Sequence, residues 1–148
     1  MDIIMNCEPN VLVCVTDQLS SERLIRSGAE IAKKQKLALH VVCVLPEGFV
    51  SEKTSSVLQN LYDTANSLGA EMTFYFNSDP ALTIAVHAKK SGSVHIVSGA
   101  PGYESSFFIE TIKALLPRQP ISIVDADSRV YTFRNTSSSV STAVQPAV

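Results

Sequence analysis

The stretch VSGAPGYESSFF, residues 97–108, places two glycines three residues apart, followed by a pair of serines. Glycine adopts backbone conformations that other residues avoid and lets a ligand approach the main chain closely. A helix starting at Ser105 and Ser106 would add free N–H groups, the positive end of its dipole and two hydroxyl donors. Gly99, Gly102, Ser105 and Ser106 are therefore candidate phosphate-binding residues, and a simple strand-to-helix turn without a ligand remains the alternative.

Two polar residues, Thr16 and Asp17, directly follow the apolar run VLVCV (11–15). An aspartate at such a place can accept hydrogen bonds from a ribose or an adenine amine. It can equally cap the loop that follows it. The residues leave both interpretations open.

Other sources of chemistry are sparse along the chain. The three cysteines have no C-x-x-C spacing and the three histidines form no ligand pattern, so neither a disulfide framework nor a metal site is predicted. Cys14 and Cys43 lie in apolar runs and are expected to be buried. The sequence contains no nucleophile elbow and no phosphate-loop lysine, so no catalytic residue is predicted.

Composition narrows the class of partner. The chain has 148 residues and a formal net charge of −2, with its lysines and arginines scattered, which argues against nucleic acid as a ligand. Its longest apolar runs are well below the roughly 20 residues of a membrane span. We therefore expect a cytoplasmic protein with a small ligand or a protein partner.

These candidate residues must be positioned by an alternation of strands and helices. Four apolar runs predict strands buried on both faces of a parallel sheet, and the more alternating run 71–76 predicts an edge strand; the four are 11–15, 37–44, 94–98 and 121–125. Helices are predicted from Ser20 or Ser21, over 52–68, from Pro80 to the glycine at 92, and after Ser105 and Ser106 to before Pro117.

Such alternation predicts an α/β fold, an open and doubly wound five-stranded parallel sheet with helices on both faces. Ligands of these sheets bind at the carboxyl ends of the strands, where the strand order reverses. Thr16, Asp17 and Gly99 each follow or end a predicted strand, so the fold brings the candidate residues to one edge.

The chain divides into three parts. Residues 1–9 form an N-terminal arm, residues 10–127 the α/β domain, and residues 128–148 a C-terminal extension with a short β-prone piece and a Ser/Thr-rich tail. That composition is typical of a segment that does not build its own core. We hypothesise that a second subunit holds it.

Several of these stretches resemble the universal stress protein family. VLVCVTDQLSSERLIRSGAEIA with LALHVVCV is similar to the family's opening half, and VHIVSGAPG with PISIVD is similar to its closing half, over about residues 10–125. The SSERLIR stretch is closest to the universal-stress-protein module of potassium-sensing histidine kinases. The resemblance implies a Rossmann-like, three-layer fold of the adenine-nucleotide alpha-hydrolase type and a homodimer.

The resemblance also implies a ligand. The nucleotide-binding branch of the family holds ATP between the first and fourth strands, through an aspartate that matches Asp17 or Thr16 and a valine that matches Val41. Its phosphate loop, G-x-x-G, matches Gly99 and Gly102, whereas its following Gly-Ser or Gly-Thr is replaced by Ile112 and Lys113. Ser105 and Ser106 are the candidates to supply the lost donors.

Three functions follow from these observations. The first is a regulatory stress-response protein that binds ATP or another adenine nucleotide, with at most slow hydrolysis. The second is a dimeric protein-interaction module without a nucleotide. The third is a cyclic-dinucleotide sensor like the kinase modules, for which residues 16–18 and 39–43 keep the spacing of the binding motif but not its residue types.

Overall fold

A computed structural model describes residues 8–48, 50–100, 106–134 and 145–146. Within them the chain forms strands and helices that alternate up to the fifth strand. The strands are β1 (Asn10–Val15), β2 (Ala38–Leu45), β3 (Glu71–Phe76), β4 (Ser93–Gly99), β5 (Ile121–Val124), β6 (Val130–Phe133) and β7 (Gln145–Pro146). The helices are α1 (Glu22–Gln35), α2 (Glu52–Ser67), α3 (Pro80–Ser91) and α4 (Ser106–Leu115), with a short 3₁₀ turn over Leu19–Ser21.

All the strands belong to one sheet with the order β3-β2-β1-β4-β5-β6-β7. Strands β1 to β5 pair with one another in parallel, as the apolar runs predict. Because β1 lies between β2 and β4, the chain proceeds outward in both directions from β1, and the strand order reverses there. The predicted doubly wound α/β fold is confirmed, with β3 at the predicted edge.

Two antiparallel strands extend the sheet beyond the five predicted ones. β6 pairs with β5, and the two-residue β7 pairs with β6. The connection is tight: Asp125 Oδ1 accepts hydrogen bonds from the N–H groups of Asp127 and Arg129, both at 2.9 Å. The β-prone start of the C-terminal extension is thus paired within the chain, against β5, whereas residues 135–144 lie outside the described part.

The core has two layers because side chains of each buried strand point alternately to opposite faces. α1 and α2 pack with Val11, Val13 and Val41 on one face, while α3 and α4 pack with Leu12 and Val42 on the other. α1 approaches β1 so closely that a Cβ on Gly28 would overlap Val13 Cγ2. Glycine at this position lets the helix lie directly on the central strand.

The helix starts and ends mostly follow the predicted signals. Asp79 Oδ1 accepts from the Leu82 N–H at 3.2 Å, and Gly92 ends α3 with a φ of 79°. At α1 the outcome differs, because Ser21 occupies the capping position but its side chain makes no capping hydrogen bond. The Ser21 hydroxyl is used elsewhere, in the site described next.

Candidate functional site

A cleft of about 440 Å³ opens at the carboxyl ends of β1 and β4. This is the place where the strand order reverses, and therefore where ligands of doubly wound sheets bind. Side chains from β1, the 3₁₀ turn, α1, β2, α3, β4 and α4 line it: Cys14, Val15, Thr16, Gln18, Ser20, Ser21, Arg23, Leu24, Val44, Pro80, Ile84, Ser98, Gly99, Ala100 and Phe108.

Thr16 lies in the cleft, as part of a small hydroxyl pair with Ser21. The Thr16 N–H donates to Ser21 Oγ at 3.2 Å, and the two hydroxyl oxygens are 3.3 Å apart. Ser21 is only 3% exposed. Its hydroxyl therefore holds the main chain where β1 ends instead of capping α1, which fixes the position of the Thr16 side chain.

Gly99 also lines the cleft, at the end of β4, and the next residue continues the pairing with β5 through a hydrogen bond from the Ala100 N–H to the Val124 carbonyl at 2.9 Å. The φ of Gly99 is not in the left-handed region, and an added Cβ would lie 3.4 Å from Leu24 Cδ1. The backbone here does not require glycine. What the missing side chain provides is room beside Leu24.

Two of the other predicted site residues, Asp17 and Val41, are described and lie outside the cleft. Asp17 is exposed and does not line it. Val41 is completely buried and pairs with Val13 inside the sheet, below the carboxyl edge. Gly102 and Ser105 lie outside the described residues, and of Ser106 only its place as the first residue of α4 is described.

Arg23 is a cleft residue that the sequence patterns did not single out. Its Nε donates to the Asp125 carbonyl at 3.0 Å and its Nη1 to the Ser20 carbonyl at 2.8 Å. These bonds join the start of α1 to the end of β5. The available signal was a basic residue two positions after the helix-start serines, but the partner at the end of β5 is 102 residues away in sequence.

Apolar side chains form the remaining wall of the cleft. This wall is built by strands β1 and β2 and by helices α3 and α4, through Cys14, Val44, Ile84 and Phe108. Burial raises the pKa of the Cys14 thiol to about 12, so it remains a neutral, apolar group at physiological pH. A flat, largely apolar ring such as a nucleobase is suited to a wall of this kind.

Histidines lie away from the cleft. Tyr75 OH is 2.7 Å from His87 Nδ1, and the ring of His40 is in edge contact with that of His87. Burial, followed by the charge of His40, lowers the pKa of His87. No group of three or more His, Cys, Asp or Glu side chains among the described residues is arranged to hold a metal ion.

Solved structures with the same fold include universal stress proteins. One determined in complex with cAMP has 15% identity and a TM-score of 0.61, covering 82% of this chain and 99% of that one. Another, from Archaeoglobus fulgidus in complex with dAMP, has 20% identity and a TM-score of 0.56, covering 80% and 98%. The hydratase GalB from Pseudomonas putida KT2440 also matches, at 12% identity and a TM-score of 0.59, covering 78% and 65%.

By sequence, no protein-family model and no curated protein matches the chain. Identities of 20% or less establish the fold and leave the ligand open. The universal stress proteins are matched over nearly their whole length, whereas the hydratase is matched over about two thirds of it. The chain therefore has the α/β fold of the universal stress proteins, with a cleft at the reversal of its strand order.

Proposed function

We propose that this protein is a regulatory, universal-stress-protein-like protein that binds an adenine nucleotide in the cleft between β1 and β4. The observation that carries the proposal is the composition of the cleft, where hydroxyl groups and one arginine face an apolar wall. A nucleotide has the same division between a polar phosphoribosyl part and a flat base. The structural neighbours determined with cAMP and dAMP support this ligand class.

The place of each residue in the cleft suggests which part of the nucleotide it contacts. The apolar wall with Val44, Ile84 and Phe108 takes the base, and Thr16 and Ser98 offer hydroxyl groups to the ribose or phosphate. The phosphate loop proposed from sequence begins at Gly99 and continues through Gly102, Ser105 and Ser106. The adenine contacts proposed for Asp17 and Val41 rest on the resemblance only.

The proposal contains no catalytic step. Among the described residues that line the cleft there is no carboxylate and no histidine to act as a general base. The cytoplasmic location and the homodimer expected from the sequence remain part of the proposal. Among the described residues, no helix combines the length and the apolar character needed to cross a bilayer.

A protein-interaction module without a nucleotide is the second candidate. The observation that favours it is the antiparallel extension of the sheet by β6 and β7, which the five-stranded fold does not need. In that case Gly99 and Gly102 have no role in binding a phosphate. The cyclic-dinucleotide sensor is a variant of the first proposal, since it uses the same edge of the sheet.

Thermal unfolding with and without millimolar AMP, ATP and cyclic di-AMP tests these alternatives. A ligand at a hundred times its dissociation constant stabilises the folded state by about 2.7 kcal/mol. The blocking variant is Ala100→Leu, which adds bulk at an exposed residue of the cleft. The matched control is Ala126→Leu, the same change at an exposed residue beyond β5 and outside this cleft.

We expect an adenine nucleotide to raise the melting temperature of the wild type and of Ala126→Leu but not of Ala100→Leu. A shift with cyclic di-AMP alone would identify the sensor instead. No shift with any nucleotide, in protein shown to be folded, would contradict nucleotide binding and favour the interaction module.

A further inference from the structure

We propose that Arg23 binds the phosphate of the ligand and that the cleft is thereby selective for nucleoside monophosphates over nucleosides and over Mg²⁺-bound triphosphates. The inference rests on the proposed function, because it assumes that a nucleotide occupies the cleft. It assigns to Arg23 a role that the glycine and serine pattern of the phosphate loop does not include.

The geometry of Arg23 prepares it for an anion. A guanidinium group has five N–H donors, and the two bonds to the Asp125 and Ser20 carbonyls use two of them. Those bonds hold the side chain in place, so that little rotational freedom is lost when it binds a ligand. Three N–H donors remain, one on Nη1 and two on Nη2, and these can donate to the oxygens of a phosphate.

The same bonds place Arg23 beside the start of the proposed phosphate loop. The Ala100 N–H binds the Val124 carbonyl and Arg23 Nε binds the carbonyl of the next residue, Asp125. Leu24, the neighbour of Arg23 on α1, is also the side chain that an added Cβ on Gly99 would meet. The arginine and the Gly99 turn therefore belong to one corner of the cleft.

The cleft carries a single positive charge among its described lining residues. Arg23 alone is charged among the described residues that line the cleft. Within the described part of the chain the nearby ion pair joins Glu22 to Arg26 instead, at 2.9 Å, so Glu22 does not neutralise Arg23. A cation that has no ion-pair partner among the described residues complements one phosphate group.

The residues that line the cleft also favour a nucleotide with one phosphate over one with three. Triphosphates are usually bound with Mg²⁺, which is coordinated by phosphate oxygens and by one or two carboxylates. No carboxylate stands among the described lining residues, and one arginine offers a single positive charge. The additional phosphates of ATP would therefore bring negative charge into the cleft that no further described lining residue neutralises.

Isothermal titration of the full chain with adenosine, AMP and ATP, the last with and without Mg²⁺, tests the inference. Charge-assisted hydrogen bonds to one phosphate predict that AMP binds about 10- to 100-fold more tightly than adenosine. ATP is expected to bind no more tightly than AMP, with or without Mg²⁺. Arg23→Gln should lower the affinity for AMP to that for adenosine and leave adenosine binding unchanged.

Arg26→Gln is the matched control, because it removes an arginine one turn further along α1 that does not line this cleft, and its AMP preference should equal that of the wild type. Arg23→Lys, which retains charge but loses the fork, should keep part of the preference, and it serves as the test if Arg23→Gln does not fold. Equal affinities for AMP and adenosine in the wild type would overturn the inference while nucleotide binding stands. So would full AMP preference in a folded Arg23 variant. Failure of both ligands to bind would overturn the proposed function together with it.

Discussion

Two groups of polar side chains each include one residue of β4, Ser98 in the first and His95 in the second, and they differ in their hydrogen-bond partners. The first lines the cleft and consists of Thr16, Ser21, Arg23 and Ser98. The second, which we call the buried polar chain, consists of Gln35, His95, Ser122 and Thr132. Both combine hydroxyl groups with one basic side chain, but in the second group His95, Ser122 and Thr132 are buried, and Gln35 is its exposed end.

Every link of the buried polar chain is a hydrogen bond between its own members. His95 Nδ1 is 3.3 Å from Gln35 Oε1, His95 Nε2 is 2.7 Å from Ser122 Oγ, and Ser122 Oγ is 2.8 Å from Thr132 Oγ1. Because Gln35 Oε1 only accepts, His95 Nδ1 donates to it and Nε2 accepts from Ser122. Thr132 then donates to Ser122. With His95 neutral, each hydrogen bond of the buried polar chain has one donor and one acceptor.

Ser98 and Ser122 show the difference on two neighbouring strands. Ser122 is completely buried and has two partners of 2.7 and 2.8 Å. Ser98 is 8% exposed, and its hydroxyl makes a long bond of 3.4 Å to the carbonyl of the next residue. A buried hydroxyl with strong internal partners stabilises the fold, whereas one with a weak partner at the edge of a cleft is available to a ligand.

The largest effect is expected from protonating the buried polar chain. Burial, with a smaller contribution from the charge of Arg134, lowers the pKa of His95 from 6.5 to about 4. The unfolded chain therefore binds this proton at a higher pH than the folded one, so stability is fully present above pH 6.5 and is lost as the pH falls toward 4. The lowered pKa corresponds to roughly 3 kcal/mol.

Urea unfolding at pH 7 and pH 4, on the wild type and His95→Gln, measures this loss. The pKa of His87 is also lowered, but His87 is present in both proteins and its contribution cancels in the difference. The wild type should lose more stability than the variant. Equal losses would show that His95 is not isolated from solvent.

Ser122→Ala should have the next largest effect, because it leaves His95 Nε2 and the Thr132 hydroxyl without their partner. An unsatisfied buried polar group costs about 1 to 3 kcal/mol, to be measured as the change in the free energy of unfolding at pH 7. Nucleotide affinity should not change, since the residue does not line the cleft. A stability within experimental error of the wild type would mean that the two polar groups find other partners.

Ser98→Ala is the matched change on the cleft side, and its effects should be reversed. Its weak internal bond predicts a loss of less than about 0.5 kcal/mol in the free energy of unfolding. Loss of one hydrogen bond to a ligand predicts an affinity for AMP that is about 3- to 10-fold lower. If stability fell as far as in Ser122→Ala with affinity unchanged, the distinction between the two serines would be wrong.

Arg26→Gln should have the smallest effect on stability. Its ion pair with Glu22 joins side chains that are 57% and 39% exposed one helical turn apart. Such pairs contribute about 0.3 to 0.5 kcal/mol and are screened by salt. Urea unfolding at low and at high salt should show a small difference from the wild type that disappears at high salt. A persistent loss would point instead to the hydrogen bond from Thr64 to Glu22.

Amino-acid types and their order were enough to predict the five parallel strands and the edge of the sheet at which the cleft opens. Strands buried on both faces are mostly apolar, so their runs stand out, and Asp79 with Pro80 and Gly92 mark the ends of α3 by local chemistry. Short connections and right-handed crossovers then leave few arrangements for such an alternation. Thr16 and Gly99 line the cleft because both come at the carboxyl ends of strands, and their part in binding stays a prediction.

Which side chains face the cleft was decided only by tertiary structure, because it depends on pairings between distant residues. Val44, not Val41, lines the cleft since the register of β2 against β1 sets the depth of each residue below the edge. Arg23 meets its carbonyl partner 102 residues further along the chain. β6 is only four residues long, so its sequence alone does not predict which strand it pairs with. Its place in the sheet is set by its pairing with β5. Local propensity acts over one turn or strand, whereas these contacts exist only when the whole sheet has formed.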